Sequence, residues 1–278
     1  MDEIEIKKAV RERYAGVVKD NTSCCGSGAG QNSCCGGGDF DDISRQIGYS
    51  DDEMGSVPEG ANLGLGCGNP TAIAGIKEGE TVIDLGSGAG FDCFLAAQKV
   101  GAPGRVIGVD MTPEMLARAR ENAVKGGYGN VEFRLGEIEH LPVADGTADV
   151  IISNCVINLA PDKARVFSEA FRVLKPGGRI MVSDIVLKHE LPPAVLQSVI
   201  AYVGCVAGAS LMEDYFAAIE AAGFTEVKVI QEASLGMDLI ENDPTAREIA
   251  AELNLDEAQA RATADAVRSV RVSAVKPA

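Results

Sequence analysis

Val82-Ile83-Asp84-Leu85-Gly86-Ser87-Gly88-Ala89-Gly90 decides the architecture. A β-branched apolar run enters a glycine-rich turn, and the residues from Phe91 onward read as a helix. Glycine removes the Cβ that would collide with a ligand approaching the backbone. The spacing is G-x-G-x-G, not the G-x-G-x-x-G of a dinucleotide fingerprint, and the acidic Asp84 precedes it. A carboxylate at that place repels a pyrophosphate but suits an ammonium group.

Outward from this stretch, short apolar runs alternate with amphipathic ones. Strands are expected at 81–86, 105–110, 131–136, 148–155 and 179–185, and helices at 91–100, 113–126 and 162–175. Lys175-Pro176-Gly177-Gly178 reads as a stop and turn before the fifth strand. Continuous apolar strands separated by helices predict a parallel sheet covered on both faces. With right-handed crossovers this gives a doubly wound α/β fold of the Rossmann-like kind, whose ligand crevice opens at the carboxyl ends of the strands. Farther on, helices are expected at 192–204, 212–222 and 243–268, and strands at 225–233 and 270–275. The last two strands read as an antiparallel pair closing the sheet, with the charged helical stretch inserted between them. Residues 1–20 read as a short helix, and 21–39 as a flexible Gly/Ser/Cys-rich arm too poor in apolar residues for a core of its own.

Within the expected crevice, Asp84 suits a methionine ammonium and Asp110, ending the second strand, suits ribose hydroxyls. Ile138 and Glu139, after the third strand, offer an apolar contact and an acceptor for the exocyclic amine of adenine. Gly86, Ser87, Gly88 and Gly90 in the turn, Met111 beside Asp110, and Asn154 ending the fourth strand complete the candidate cofactor set. These positions resemble the successive motifs of class I S-adenosylmethionine-dependent methyltransferases over roughly residues 70–185. The resemblance implies S-adenosylmethionine as the cofactor.

Composition narrows the acceptor. The chain has 278 residues, 46% of them apolar, and a formal charge of -16, a surface that disfavours phosphate backbones and hence nucleic acid. No apolar run reaches the roughly 18 residues of a membrane span, and the amino terminus lacks the pattern of an export signal, so a cytoplasmic protein is expected. Eight cysteines in a reducing compartment then favour metal, metalloid or redox chemistry over structural disulfides, while two histidines are too few for a His-rich metal site.

The cysteines fall into two sets. Cys24-Cys25 and Cys34-Cys35 are vicinal pairs in the arm; Cys67, Cys155 and Cys205 stand apart, among glycines or at a strand end. Cys93 lies inside an apolar helix and reads as a small buried hydrophobe. Zinc at the separated cysteines is disfavoured because no C-x-x-C pair exists, although the vicinal pairs leave a zinc or metalloid sequestration protein open. Tyr49-Ser50-Asp51-Asp52-Glu53-Met54, Asn62-Leu63-Gly64-Leu65-Gly66-Cys67-Gly68-Asn69-Pro70 and Ser153-Asn154-Cys155-Val156-Ile157-Asn158-Leu159 closely resemble arsenite methyltransferases. That resemblance implies As(III) as acceptor, bound by thiolates at Cys67, Cys155 and Cys205. It also implies that an N-terminal cysteine takes part in turnover, with Cys24, Cys25, Cys34 and Cys35 as the candidates. Thioredoxin or glutathione would be the thiol reductant, and arsenite and methylated arsenicals the small-molecule partners. A small-molecule C- or O-methyltransferase of the quinone-biosynthesis type is the alternative. The expected organisation is an arm at 1–40, a cofactor-binding domain at 41–185 and a smaller arsenic-binding, sheet-completing region at 186–278, in a monomer.

Overall fold

The five apolar runs form the parallel strands β1 (Thr81–Leu85), β2 (Arg105–Asp110), β3 (Val131–Leu135), β4 (Ala148–Asn154) and β5 (Leu174–Leu187). Two more strands, β6 (Thr225–Ser234) and β7 (Val267–Val275), complete one sheet in the order β3-β2-β1-β4-β5-β7-β6. β7 runs antiparallel to both its neighbours. This computed structural model describes residues 2–20, 40–234, 249, 251–253 and 255–278. The vicinal pairs at 24–25 and 34–35, and most of the segment between β6 and the last helix, lie outside the described residues.

Alternate residues of each strand feed two cores, which is why the strands read as unbroken apolar runs. Ile83, Leu85 and Ile151 point to one face, where they pack with Phe167 and Ala170 of a helix at Lys163–Val173 and Tyr215 and Ile219 of another at Met212–Ala221. Val82, Val150 and Ile152 point to the other, against Phe94 and Ala96 at Phe91–Val100 and Leu116 and Ala119 at Pro113–Gly126. In chain order these helices follow α1 (Glu3–Asp20), α2 (Phe40–Gln46), α3 (Asp51–Gly55) and α4 (Pro70–Ile73), so they are α5 (Phe91–Val100), α6 (Pro113–Gly126), α7 (Lys163–Val173) and, beyond α8 (Pro193–Leu196) and α9 (Val199–Val203), α10 (Met212–Ala221). The helix at Glu257–Ala266 is α11. No helix among the described residues is long and apolar enough to cross a membrane.

Three expectations change. Lys175-Pro176-Gly177-Gly178 is not a turn before the strand but a bulge within β5. Leu174 already pairs with Ala148, the register then shifts, and Arg179 pairs with Val150. Gly177 takes φ +77°, its N–H donates to Lys276 O, and Lys276 N–H donates to Gly178 O. The helix expected at 192–204 is two short ones, because the Ser198 side chain accepts from Ala201 N–H and caps a new start. Strand β7 begins at Val267, inside the expected helical stretch, where it pairs with Leu187 at the end of β5. Short helices also occur in the glycine-rich lead-in; α3 is set by a capping box in which Ser50 and Glu53 satisfy each other's backbone N–H groups.

The strand order reverses between β1 and β4, so the crevice of the fold opens where the glycine turn and the end of β4 meet. Immediately after β4, Cys155 takes φ +58°, and after α9, Cys205 takes φ +63°. Among the described non-glycine residues only Glu226 shares this left-handed region, which costs an L-residue about 1–2 kcal/mol. Cys155→Gly is therefore expected to hold its thermal midpoint within a few degrees of the parent, because relief of that strain offsets the lost side chain. Cys155→Val, with a β-branched side chain at the same φ, should lose about 3–8 °C relative to Cys155→Gly. Melting followed by circular dichroism decides; equal midpoints would contradict the strained turn.

Candidate active site

The glycine turn is shaped for close approach. Gly86, at φ +70°, sits so near Val156 that a Cβ would lie 2.4 Å from Val156 Cγ2. Gly90 enters α5 at φ +95°, where a Cβ would meet Phe94 and Phe133. Around this turn lie three buried carboxylates, two from strands and one from α5. Asp84, the next-to-last residue of β1, accepts from the Cys93 thiol at 3.2 Å. Asp110 ends β2 and accepts from Gly88 N–H at 2.9 Å and Thr112 N–H at 2.8 Å. Asp92, in the first turn of α5, accepts from Tyr49 Oη at 2.7 Å and Asn154 Nδ2 at 3.2 Å. Burial, and then the neighbouring Asp92 charge, hold the Asp84 carboxyl well above the usual carboxylate range. Burial raises Asp110 as well, against the backbone N–H groups that favour its charged form. The buried Ser87 Oγ has no partner.

Clustered carboxylates disfavour a pyrophosphate and are relieved by a sulfonium or an ammonium. S-adenosylmethionine carries both. Ile138 and Glu139 follow β3 as expected, both buried. Lys7 of α1 bridges Glu137 at 2.6 Å and Glu139 at 3.0 Å. Farther along α1, Val17 packs on Ala89 of the glycine turn and on Met115. The first helix thus lies over the cofactor side of the crevice, a placement no sequence signal announced.

Cys67, Cys155 and Cys205 converge. The Cys67 and Cys155 sulfurs lie within 4.8 Å of each other, and Cys205 Sγ reaches Cys155 O at 3.1 Å. Cys67, Cys155, Cys205, Met111 and Val156 belong to one hydrophobic cluster. All three thiols are pushed up. For Cys67 the cause is burial, followed by the charge of Asp184 after a partly offsetting contact with Cys155. For Cys155 the contact with Cys205 lowers it, but Cys67 and burial outweigh that contact. For Cys205 the contact with Cys155 leads, then burial. Cys93 takes no part: it is fully buried on the far core, as a small hydrophobe, with its thiol turned to Asp84.

The Cys67 loop is gripped from two strands. Its N–H donates to Asn154 Oδ1 at 3.0 Å, Asn154 Nδ2 donates to Gly68 O at 2.8 Å, and Ser269 Oγ of β7 donates to Cys67 O at 3.1 Å. Asn154, read from sequence as a cofactor residue, thus engages the acceptor loop, and its Nδ2 also reaches Tyr49 Oη at 2.9 Å.

Sequence reasoning missed Asp184. Its carboxylate lies within 4.8 Å of both the Cys67 and Cys155 sulfurs. It accepts from Asn158 Nδ2 at 2.8 Å, Ile185 N–H at 2.9 Å and Tyr215 Oη at 3.0 Å. Burial pushes it up to about 7. A lone acid in the apolar run Arg179-Ile180-Met181-Val182-Ser183-Asp184-Ile185 was the signal. Asp92, one residue into α5, was the other.

Comparison with known proteins places this geometry. A family model described as a methyltransferase domain matches residues 76–236. An arsenite methyltransferase of Halobacterium salinarum is 54% identical over 82% of this chain and 59% of its own length. One of Aquipseudomonas alcaligenes is 42% identical over 65% of this chain and 54% of its own, so the chain spans little more than half the length of these curated relatives. The solved structure of an arsenic(III) S-adenosylmethionine methyltransferase from Chlamydomonas reinhardtii matches with a TM-score of 0.61 at 34% identity, covering 85% of this chain and 73% of that one. Glycine turn, strand order and these likenesses agree: the chain belongs to the class I S-adenosylmethionine-dependent methyltransferases and, within them, to the arsenite methyltransferase family.

Proposed function

We propose that the protein transfers methyl groups from S-adenosylmethionine to trivalent arsenic held by Cys67, Cys155 and Cys205. The observation that carries this reading is the gathering of three cysteines, distant in sequence, at the strand end next to the glycine turn: the Cys67 and Cys155 sulfurs lie within 4.8 Å of each other and Cys205 Sγ is 3.1 Å from Cys155 O. Asp84 would hold the ammonium, Asp110 the ribose hydroxyls, and Ile138 and Glu139 the adenine, with Gly86, Ser87, Gly88, Gly90 and Met111 lining the turn. When bound, S-adenosylmethionine supplies an electrophilic methyl group for the lone pair that remains on arsenic.

The thiols do the capturing. Arsenite carries three hydroxides; each thiol that binds forms one As–S bond and sends its proton out with a hydroxide as water. The exchange is proton-neutral, so thiols held above their usual range at neutral pH are suited to it. An arsenic–thiolate centre has no proton to lose, and no general base is needed. The remaining task is orientation, worth several kcal/mol of a barrier when reacting atoms are held in line. The left-handed turns at Cys155 and Cys205 and the Asn154 grip on the Cys67 loop supply it.

Each transfer leaves arsenic at the pentavalent level. Two thiolates can return it to the trivalent level by forming a disulfide, which thioredoxin or glutathione then reduces in the role of co-substrate. Cys24, Cys25, Cys34 and Cys35 are the thiols we assign to this step.

Two outcomes are expected with the full chain, labelled S-adenosylmethionine and a thiol reductant. Cys155→Ser and Cys205→Ser should each reduce arsenite methylation by about 100-fold or more, with the dissociation constant for S-adenosylhomocysteine kept within about twofold. Undiminished turnover in either variant removes that cysteine from the mechanism. Cys67→Ser should still methylate a monomethylated trivalent arsenical, which needs only two thiolates; loss of both activities together would contradict the three-thiolate scheme.

A further inference from the structure

We propose that Asp92, acting through Tyr49 and Asn154, is a positioning residue that sets the hold on the Cys67 loop and ties it to the cofactor turn. The inference rests on the reading of Cys67 as an arsenic ligand.

The Asn154 amide is held in one orientation. Its oxygen must face the Cys67 N–H, a donor, and its nitrogen must face the Gly68 carbonyl, an acceptor. A flipped amide would set donor against donor and acceptor against acceptor. The loop backbone rests directly on this group: a Cβ on Gly66 would lie 2.7 Å from Asn154 Nδ2. The next residue in the chain is Cys155, so one amide holds the sites of two of the three sulfurs.

The amide nitrogen also donates to Tyr49 Oη at 2.9 Å, and Tyr49 in turn donates to Asp92 Oδ1 at 2.7 Å. Asp92 Oδ2 lies 3.2 Å from the same amide nitrogen. The chain of bonds has one direction only while Asp92 is an acceptor at both oxygens. The amide has two N–H groups for Gly68 O, Tyr49 Oη and Asp92 Oδ2, so one of them is shared between Tyr49 Oη and Asp92 Oδ2. A proton on Oδ2 faces that shared N–H, and a proton on Oδ1 competes with the Tyr49 hydroxyl proton for the space between the two oxygens. Either way two donors meet in a buried space, which costs the desolvation of unsatisfied polar groups. The charge on Asp92 therefore fixes the Asn154 amide, and through it the Cys67 loop.

Burial pushes Asp92 up to about 6, against the Tyr49 and Asn154 hydrogen bonds. Glu53 of α3 raises it further, while Lys99 on its own helix lowers it. Asp84 of β1 is the adjacent buried carboxylate, with Cys93 of α5 and Asp110 of β2 facing it in turn. A cationic ligand at Asp84 offsets one of these charges and favours the ionised form of Asp92. The same contact that receives the cofactor then firms the loop that presents Cys67.

The test uses the full chain with Asp92→Asn and Tyr49→Phe. Asparagine keeps an acceptor for Tyr49 but places an N–H against Asn154, and phenylalanine removes the relay. Arsenite affinity, titrated with the protein saturated in S-adenosylhomocysteine, should fall about tenfold in each variant at neutral pH. In the parent it should weaken as the pH drops through about 6, the value at which Asp92 gains its proton, and in Asp92→Asn that step should vanish. Hydrogen exchange at the Cys67 amide reads the clamp without arsenite: its protection should follow the same pH step in the parent and be low and flat in both variants. Parent-like affinity and a parent-like pH step in folded Asp92→Asn would overturn the proposal, as would unchanged protection of the Cys67 amide. If the parent binds no arsenite, the functional reading fails, and the exchange measurement still decides the role of Asp92.

Discussion

The gathering of Cys67 and Cys205 about Cys155 is the constraint on which the candidate site depends. Three residues from three separate parts of the chain meet there, and each arrives by a different device. Cys155 is turned off the end of β4 by a left-handed backbone, and Cys205 is turned off α9 the same way. Cys67 comes in on a loop held by a β4 side chain and a β7 hydroxyl. Glycine would adopt either left-handed turn more readily. That cysteine stands at both marks the thiols, rather than the fold, as the reason for the strain.

The sheet supplies the platform. Its order reverses between β1 and β4, so the connections that follow these two paired strands leave toward opposite faces of the sheet. The glycine turn after β1 and Cys155 after β4 are therefore neighbours by topology, before any side chain is considered. The antiparallel β7 contributes more than closure. Ser269 fixes the Cys67 carbonyl, and Arg271 donates to Ile47 O, anchoring the segment that leads into the loop. Tyr215 from α10 secures Asp184 beneath the thiols, with Phe167 edge-on against its ring.

Much of this was legible in the sequence because periodicity and glycine chemistry are local. The five parallel strands, the helix after the glycine turn and the antiparallel closing pair follow from runs of a few residues each. Where the reading went astray, the cause was a partner distant in the chain. Lys175-Pro176-Gly177-Gly178 has the composition of a turn, yet its backbone pairs with Lys276, about a hundred residues away. Val267 and Arg268 looked helical until β5 offered them a ladder. In the site, the glycines and strand-end acids were readable because each acts through its own position. Asp92 and Asp184 were not, since each matters through groups brought to it by folding: Tyr49 and Asn154 for one, the Cys67 and Cys155 sulfurs for the other. The cover given by α1 was equally silent, for its Lys7 and Val17 look like any amphipathic surface.

The decisive quantity is the number of sulfurs that one arsenic atom binds. Arsenic-edge X-ray absorption on the chain with Cys24, Cys25, Cys34 and Cys35 changed to serine, loaded with one equivalent of arsenite, counts them directly. Three sulfur neighbours and no oxygen are predicted. An arsenic that keeps two oxygens and gains a single sulfur would show that Cys67, Cys155 and Cys205 do not act together.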